Sequence, residues 1–219
     1  SLVLLQADEQ KQVAKQLKEA GVTEELLIGT NVSEKAEDHN IEVAEEEKDT
    51  SRYGAELLDE KYCRENRIYS MPTISADEIT LAFAGDISFA EGYANISSLR
   101  QRENGIFDCF DEFVFKEMRD ADIFMLNNEF PYTDRGTPTE GKTYTFRAKP
   151  ESVKYLYDMG VDIVSIANNH VYDYGEVSLL DTLTTLEEAA MPYVGAGRNI
   201  EEAVKPVYFI ANDYKIAYV

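Results

Sequence analysis

The chain has 219 residues, enough for one substantial domain and an appendage. A hydrophobic fraction of 44% and a charged fraction of 29% are those of an ordinary globular protein. A net charge of -21 argues against nucleic-acid backbones and anionic membrane surfaces as partners, because binding there relies on clustered Lys and Arg, and points instead to a well-solvated acidic face.

In chain order, Leu2-Val3-Leu4-Leu5 is too short for a signal peptide or a membrane span. It reads as the edge of a removed anchor, a short strand or the start of a helix. Residues 1–31 are expected to form a helical N-terminal segment, with Val13, Ala14 and Leu17 at helical spacing and Gly21 placed as a C-cap. Residues 32–51, including Glu45-Glu46-Glu47-Lys48-Asp49, read as an acidic linker. Residues 52–74 are expected as a helical extension whose helix over 52–70 packs Tyr53, Leu57, Leu58 and Tyr62.

Over residues 75–219 strands and helices alternate, which predicts an α/β domain on a mostly parallel sheet. Strands are expected at 79–84, 122–126 and 161–167. A helix over 107–119 is expected to turn Phe110, Phe113, Val114 and Met118 inward. After a loop over 131–142 come a short strand at 143–147 and a helix that Pro150 opens and Gly160 closes. A helix over 176–189 packs Leu179, Leu183 and Leu186. A short strand at Tyr193-Val194, a helix capped by Asn199, and strands at 207–211 and 215–219 complete the pattern. The last run reads as a core strand without a covering helix, so the expected fold is incomplete at its C-terminus and the chain is read as part of a longer protein. Cys63 and Cys109 read as two partly buried free thiols rather than a disulfide.

Three of the strands end in polar clusters: Gly85-Asp86, Asn127-Asn128-Glu129 and Asn168-Asn169-His170. The carboxyl ends of neighbouring parallel strands share one crevice, and ligands bind there. Asp, Glu, Asn and His are donors for hard or borderline divalent cations, so Asp86, Glu129, Asn169 and His170 are candidate metal ligands, with Asn128 and Asp173 as further candidates. Each has a plainer reading: Asp86 as the cap of a turn, Glu129 as an exposed loop carboxylate, His170 as a satisfied structural histidine. Gly85 is expected to let the backbone turn sharply beside Asp86. Arg147 is placed to hold a phosphate or carboxylate bidentately, or to pair with an acidic neighbour. Gly195-Ala196-Gly197 reads as a turn rather than an anion cradle.

The ordered set Gly85-Asp86, residues 127–131 (Asn-Asn-Glu-Phe-Pro), Phe146-Arg147-Ala148, residues 167–175 and Gly195-Ala196-Gly197 resembles the capsule-synthesis protein family CapA, also called PgsA, over residues 79–219. Members of that family take part in making or exporting poly-γ-glutamate and resemble calcineurin-type metallophosphatases. The resemblance implies a layered α/β/β/α sandwich and a divalent metal (Mn, Zn, Fe or Mg). It also implies an anionic polymer or phosphoester as substrate, the capsule-synthesis machinery at the membrane as partner, and an extracytoplasmic, cell-surface or membrane-anchored location. In the metallophosphatase pattern Asp86 is a metal ligand, Glu129 or Asn128 stands at the bridging position, Asn169 is a ligand, and His170 protonates the leaving group or steadies charge. The chain departs from that pattern in two places. Ser88 occupies the first histidine position, and no histidine follows His170 to supply a later Gly-His-x-His. The implied site is therefore half complete, and both a catalytic and a polymer-handling role stay open.

Overall fold

Alternation along a strand sends successive side chains to opposite faces, and here it sorts the apolar residues into distinct layers. The computed structural model describes residues 2–4, 52–57 and 59–219. Within them are β1 (Leu2–Leu4), α1 (Gly54–Leu57), α2 (Glu60–Asn66), β2 (Ile68–Ser70), β3 (Leu81–Ile87), α3 (Ala94–Arg100), α4 (Glu112–Asp120) and β4 (Ile123–Asn128). Then follow α5 (Lys154–Asp158), β5 (Ile163–Ser165), α6 (Glu176–Glu188), β6 (Tyr193–Val194), α7 (Ile200–Ala203), β7 (Val207–Ala211) and β8 (Tyr214–Tyr218). Short 3-10 turns occupy Gly105–Cys109 and Pro150–Val153.

Strands β3, β4, β5 and β6 form an all-parallel sheet in that order, with registers such as Leu81 opposite Ile123 and Met125 opposite Ile163. The second sheet runs β1-β8-β7-β2; β2 is parallel to β7, whereas β8 is antiparallel to both β7 and β1. On the first sheet, Phe124, Leu126, Val164 and Ile166 pack against Ile96, Leu156, Leu183 and Leu186 of the helical layer. Ile123 and Ile163, one residue out of phase with these, meet Val207, Phe209, Ile216 and Tyr218 of the second sheet. Ile68 and Ile210 turn the other way and pack on Tyr53, Leu57 and Tyr62 of the α1–α2 segment. The result is the expected α/β/β/α order of layers. Each fully buried Ile, Leu or Phe contributes about 1.5–3 kcal/mol.

Several local expectations differ. The helix over 52–70 is two short helices and a strand. Asp59 accepts the Tyr62 amide at 2.9 Å and starts α2 afresh, Arg67 ends it in the left-handed region at φ 56°, and Ile68–Ser70 joins the second sheet. The helix over 107–119 is broken where Asp111 caps the Phe113 amide. Its inward face is carried by Phe110, Phe115 and Met118, whereas Phe113 and Val114 are exposed. Residues 143–147 form no strand; the Phe146 amide donates to Asp173 at 2.6 Å and the Arg147 carbonyl accepts the Glu91 amide at 2.8 Å, while Ala148 just beyond bridges to Tyr132. Cys109 is an exposed thiol rather than a partly buried one, and Cys63 is half-buried. Leu2–Leu4 is a strand, while the rest of the helical segment expected over residues 1–31, the acidic linker 32–51 and the packing of Leu58 lie outside the described residues. No helix among the described residues is long and apolar enough to cross a membrane.

Candidate functional site

The carboxyl ends of β3, β4 and β5 are joined by a relay of side-chain amides. Between Phe83 and Asp86 the register of β3 against β4 slips, so that Asp86 comes to lie opposite Asn127. This is a bulge, a device that re-aims one side chain out of a regular ladder. Gly85 sits within this irregular stretch of β3 rather than in a sharp turn, because its φ is not in the left-handed region. Asn127 donates to the Asp86 carboxylate at 2.7 Å, and Asn168 donates in turn to Asn127 Oδ1 at 3.1 Å and to the Asn128 carbonyl at 2.9 Å. The Oδ1 of Asn168 accepts the amides of His170 and Val171, both at 3.0 Å, and so shapes the loop that presents His170.

His170 is held from three sides. Its Nδ1 lies 2.7 Å from Oδ2 of Asp173, its ring stacks on Phe146 at 4.2 Å between centroids, and its carbonyl accepts the Asp173 amide at 3.0 Å. Asp173 is fully buried. Its Oδ2 also accepts the Phe146 amide at 2.6 Å, while Oδ1 takes the ammonium of Lys142, which reaches on to the Asn169 carbonyl at 2.5 Å. A buried carboxylate endures only when paired and hydrogen-bonded, and Asp173 is both. A carboxylate on Nδ1 fixes the imidazole orientation and leaves Nε2 to accept or deliver a proton.

The candidates therefore fall into three groups. Asp86 and His170 are linked through Asn127 and Asn168. Asn128 belongs to the buried face: its Nδ2 donates to the Phe130 carbonyl at 2.7 Å and its Oδ1 has no partner among the described residues. Asp173 has both oxygens engaged, so it positions His170 rather than standing open to an ion. Glu129 is half-buried and Asn169 exposed, and neither side chain has a hydrogen bond to a described residue. Arg147 pairs with no acidic neighbour among the described residues; its guanidinium lies 4.6 Å from the Tyr174 ring centroid.

The donor types suit a divalent cation, and in the structure they stand apart: among the described residues Asp86 and His170 are joined only through the amides of Asn127 and Asn168. Among the described residues no three His, Cys, Asp or Glu side chains converge to hold an ion. One oxygen of Asp86 is already taken by an amide donor, where a cation would otherwise sit.

Sequence reasoning selected Asn128 and Asn169, whereas Asn127 and Asn168 carry the relay. Parity along β4 holds the missing signal: Asn128 has the phase of Phe124 and Leu126, which enter the helical layer, and Asn127 does not. Lys142 was also missed, since a lysine in a Thr- and Gly-rich loop has no local pattern that would reveal a buried partner 31 residues away.

Residues 80–219 match the family model described as Bacterial capsule synthesis protein PGA_cap. The chain is 28% identical over 144 residues to the capsule biosynthesis protein CapA of Bacillus anthracis, covering 64% of this chain and 34% of that protein. It is 30% identical over 138 residues to the PGA biosynthesis protein CapA of Bacillus subtilis, covering 63% and 35%. Over 80 residues it is 32% identical to a probable polyglutamine synthesis accessory protein of Mycobacterium tuberculosis, covering 36% and 21%. The chain thus spans about a third of the length of the CapA relatives it matches.

Proposed function

From the premise that this chain belongs to the bacterial capsule synthesis family PGA_cap, we propose that it is part of a protein acting in poly-γ-glutamate capsule synthesis or export. In this reading it works outside the cytoplasm beside the membrane-bound synthesis machinery, and its strand-end crevice engages the anionic polymer. The observation that carries the reading is the His170–Asp173 pair, buried at Asp173, clamped by Phe146 and Lys142, and joined through Asn168 and Asn127 to Asp86. Nε2 of His170 donates a hydrogen bond or a proton to a substrate oxygen. Arg147, half-buried and free of acidic partners among the described residues, offers a bidentate contact to a carboxylate.

A second reading, metal-dependent cleavage of a phosphoester, is favoured by the same geometry, because an imidazole backed by a buried carboxylate is a competent general acid. In that case a divalent ion would be held by Asp86 and Glu129 together with donors that this chain's described residues do not bring together.

The test uses the family-length protein in a strain lacking its own copy, with surface polymer as the readout. His170→Ala is expected to lower polymer by about 10²-fold or more, and wild-type polymer levels in that variant would overturn the assignment of His170. The same proteins, given Mn²⁺ or Zn²⁺ and aryl phosphate mono- and diesters, separate the readings. Turnover that depends on both metal and His170 supports the hydrolase, and polymer loss without any turnover supports the handling role.

A further inference from the structure

Away from the strand ends, α2, β2, α7 and the turn between α6 and β6 enclose a cavity of about 440 Å³ that shares no residue with the His170 site. Arg64, Arg67, Arg198 and Lys205 line it, against the two carboxylates of Glu187 and Glu202. Arg198 takes both: it lies 2.6 Å from Glu187 and 3.4 Å from Glu202, and its bond holds the Glu187 carboxyl below the usual range. The other three cations form no ion pair with any described residue.

Arg67 is the most telling of them. Its guanidinium donates to the backbone carbonyls of Lys205, at 3.1 Å, and of Tyr193, and lies 4.7 Å from the Tyr193 ring centroid. Those partners are neutral, and the carboxylates of Glu187 and Glu202 act on this half-buried charge only from a distance, being paired with Arg198. Burial lowers its pKa for that reason, against the pull of Tyr193, Tyr69, Glu187 and Glu202. A guanidinium carries five donors, and these bonds use only part of them. Lys205 likewise donates to a carbonyl, that of Glu65. Three cations without carboxylate partners on one cavity are unexpected on a chain of net charge -21. A second cavity of about 290 Å³ adjoins the first and shares Tyr69, Ala190, Met191 and Pro192 with it, which gives room for an elongated ligand.

We propose that this cavity binds an oxyanion group, carboxylate or phosphate, on Arg64, Arg67 and Lys205, and that where the group belongs to a longer ligand its apolar stem lies against Tyr69, Met191 and Pro192. That chemistry is shared by a run of a carboxylate polymer and by free phosphate; only the polymer form rests on the function proposed above. It places a second anchor for substrate at a distance from the reacting group.

Calorimetric titration of the 219-residue chain with a γ-linked glutamate oligomer of about six residues, and separately with inorganic phosphate, tests the proposal. Saturable, salt-sensitive binding of either probe is expected, with the oligomer tighter if the polymer is the ligand and phosphate equal to it if the site serves small anions. The double substitution Arg64→Gln with Lys205→Gln is expected to weaken binding about tenfold with an unchanged urea midpoint. Binding lost in the double variant but kept in His170→Ala belongs to the cavity, and binding lost only in His170→Ala belongs to the strand-end crevice, so failure of the strand-end function is distinguishable from failure of the cavity. Absence of binding by both probes, or equal affinity in the double variant, overturns the proposal.

Discussion

Asp162 and Asp173 carry the same functional group into surroundings that treat it differently. Asp173 has a lysine, a backbone amide and an imidazole on its two oxygens. Asp162, just before β5, has one amide, that of Phe124 at 2.8 Å, and burial pushes its pKa up to about 6 despite that bond. The folded protein therefore keeps this proton up to about pH 6, whereas the unfolded chain releases it near 3.8. Across that window the unfolded state binds fewer protons, so the Asp162 contribution to stability is full below about pH 4 and is lost as pH rises through 6. After discounting for partial exposure the loss is of the order of 1–2 kcal/mol. Glu91, Asp181 and Glu187 are held low, chiefly by their arginine hydrogen bonds, and act in the opposite sense. Asp162→Asn isolates the effect: urea unfolding at pH 4.5 and pH 7 should show the variant gaining on wild type at the higher pH. An equal difference at both values would rule out a raised pKa for Asp162.

Among the elements, the parallel strands were the most legible, since long apolar runs such as residues 122–126 have no other economical burial. The strand Ile68–Ser70 was not: it carries too short a pattern to be separated from the helix before it, and its partner β7 lies about 140 residues further along. The relay residues followed strand phase rather than residue type, which is why Asn127 and Asn168 were passed over for their neighbours. Glycines at the strand ends also part ways. Gly195, just after β6, has φ +92°, and an added Cβ would collide with the Cβ of Ala167 and lie 3.1 Å from its amide nitrogen. Gly85 has ordinary φ and nothing within 4 Å of an added Cβ. Gly195→Ala should destabilise the chain by about 2–3 kcal/mol and Gly85→Ala by no more than about 0.5 kcal/mol, read from urea midpoints. Near-equal losses would show that the β5–β6 ends can separate without penalty.

At the scale of the molecule, the two sheets differ in how their strands are spaced along the chain. The first sheet takes β3 to β6 in order, each joined to the next by a local crossover. The second pairs Leu2 with Tyr218 and Ile68 with Tyr208, so it draws on both ends of the sequence. The apolar face made by Ile123 and Ile163 is covered only once that second sheet is in place. Long-range pairing of this kind closes large loops and is slow. During synthesis the β3–β6 unit would emerge with one greasy face bare until β7 and β8 leave the ribosome and recruit β1 and β2. Pulse-labelled hydrogen exchange during refolding should find amides of β4 and β5 protected before those of β2 and β7. Until that second event, the capacity of this chain to aggregate is set by the time strands β1 and β8 take to find each other.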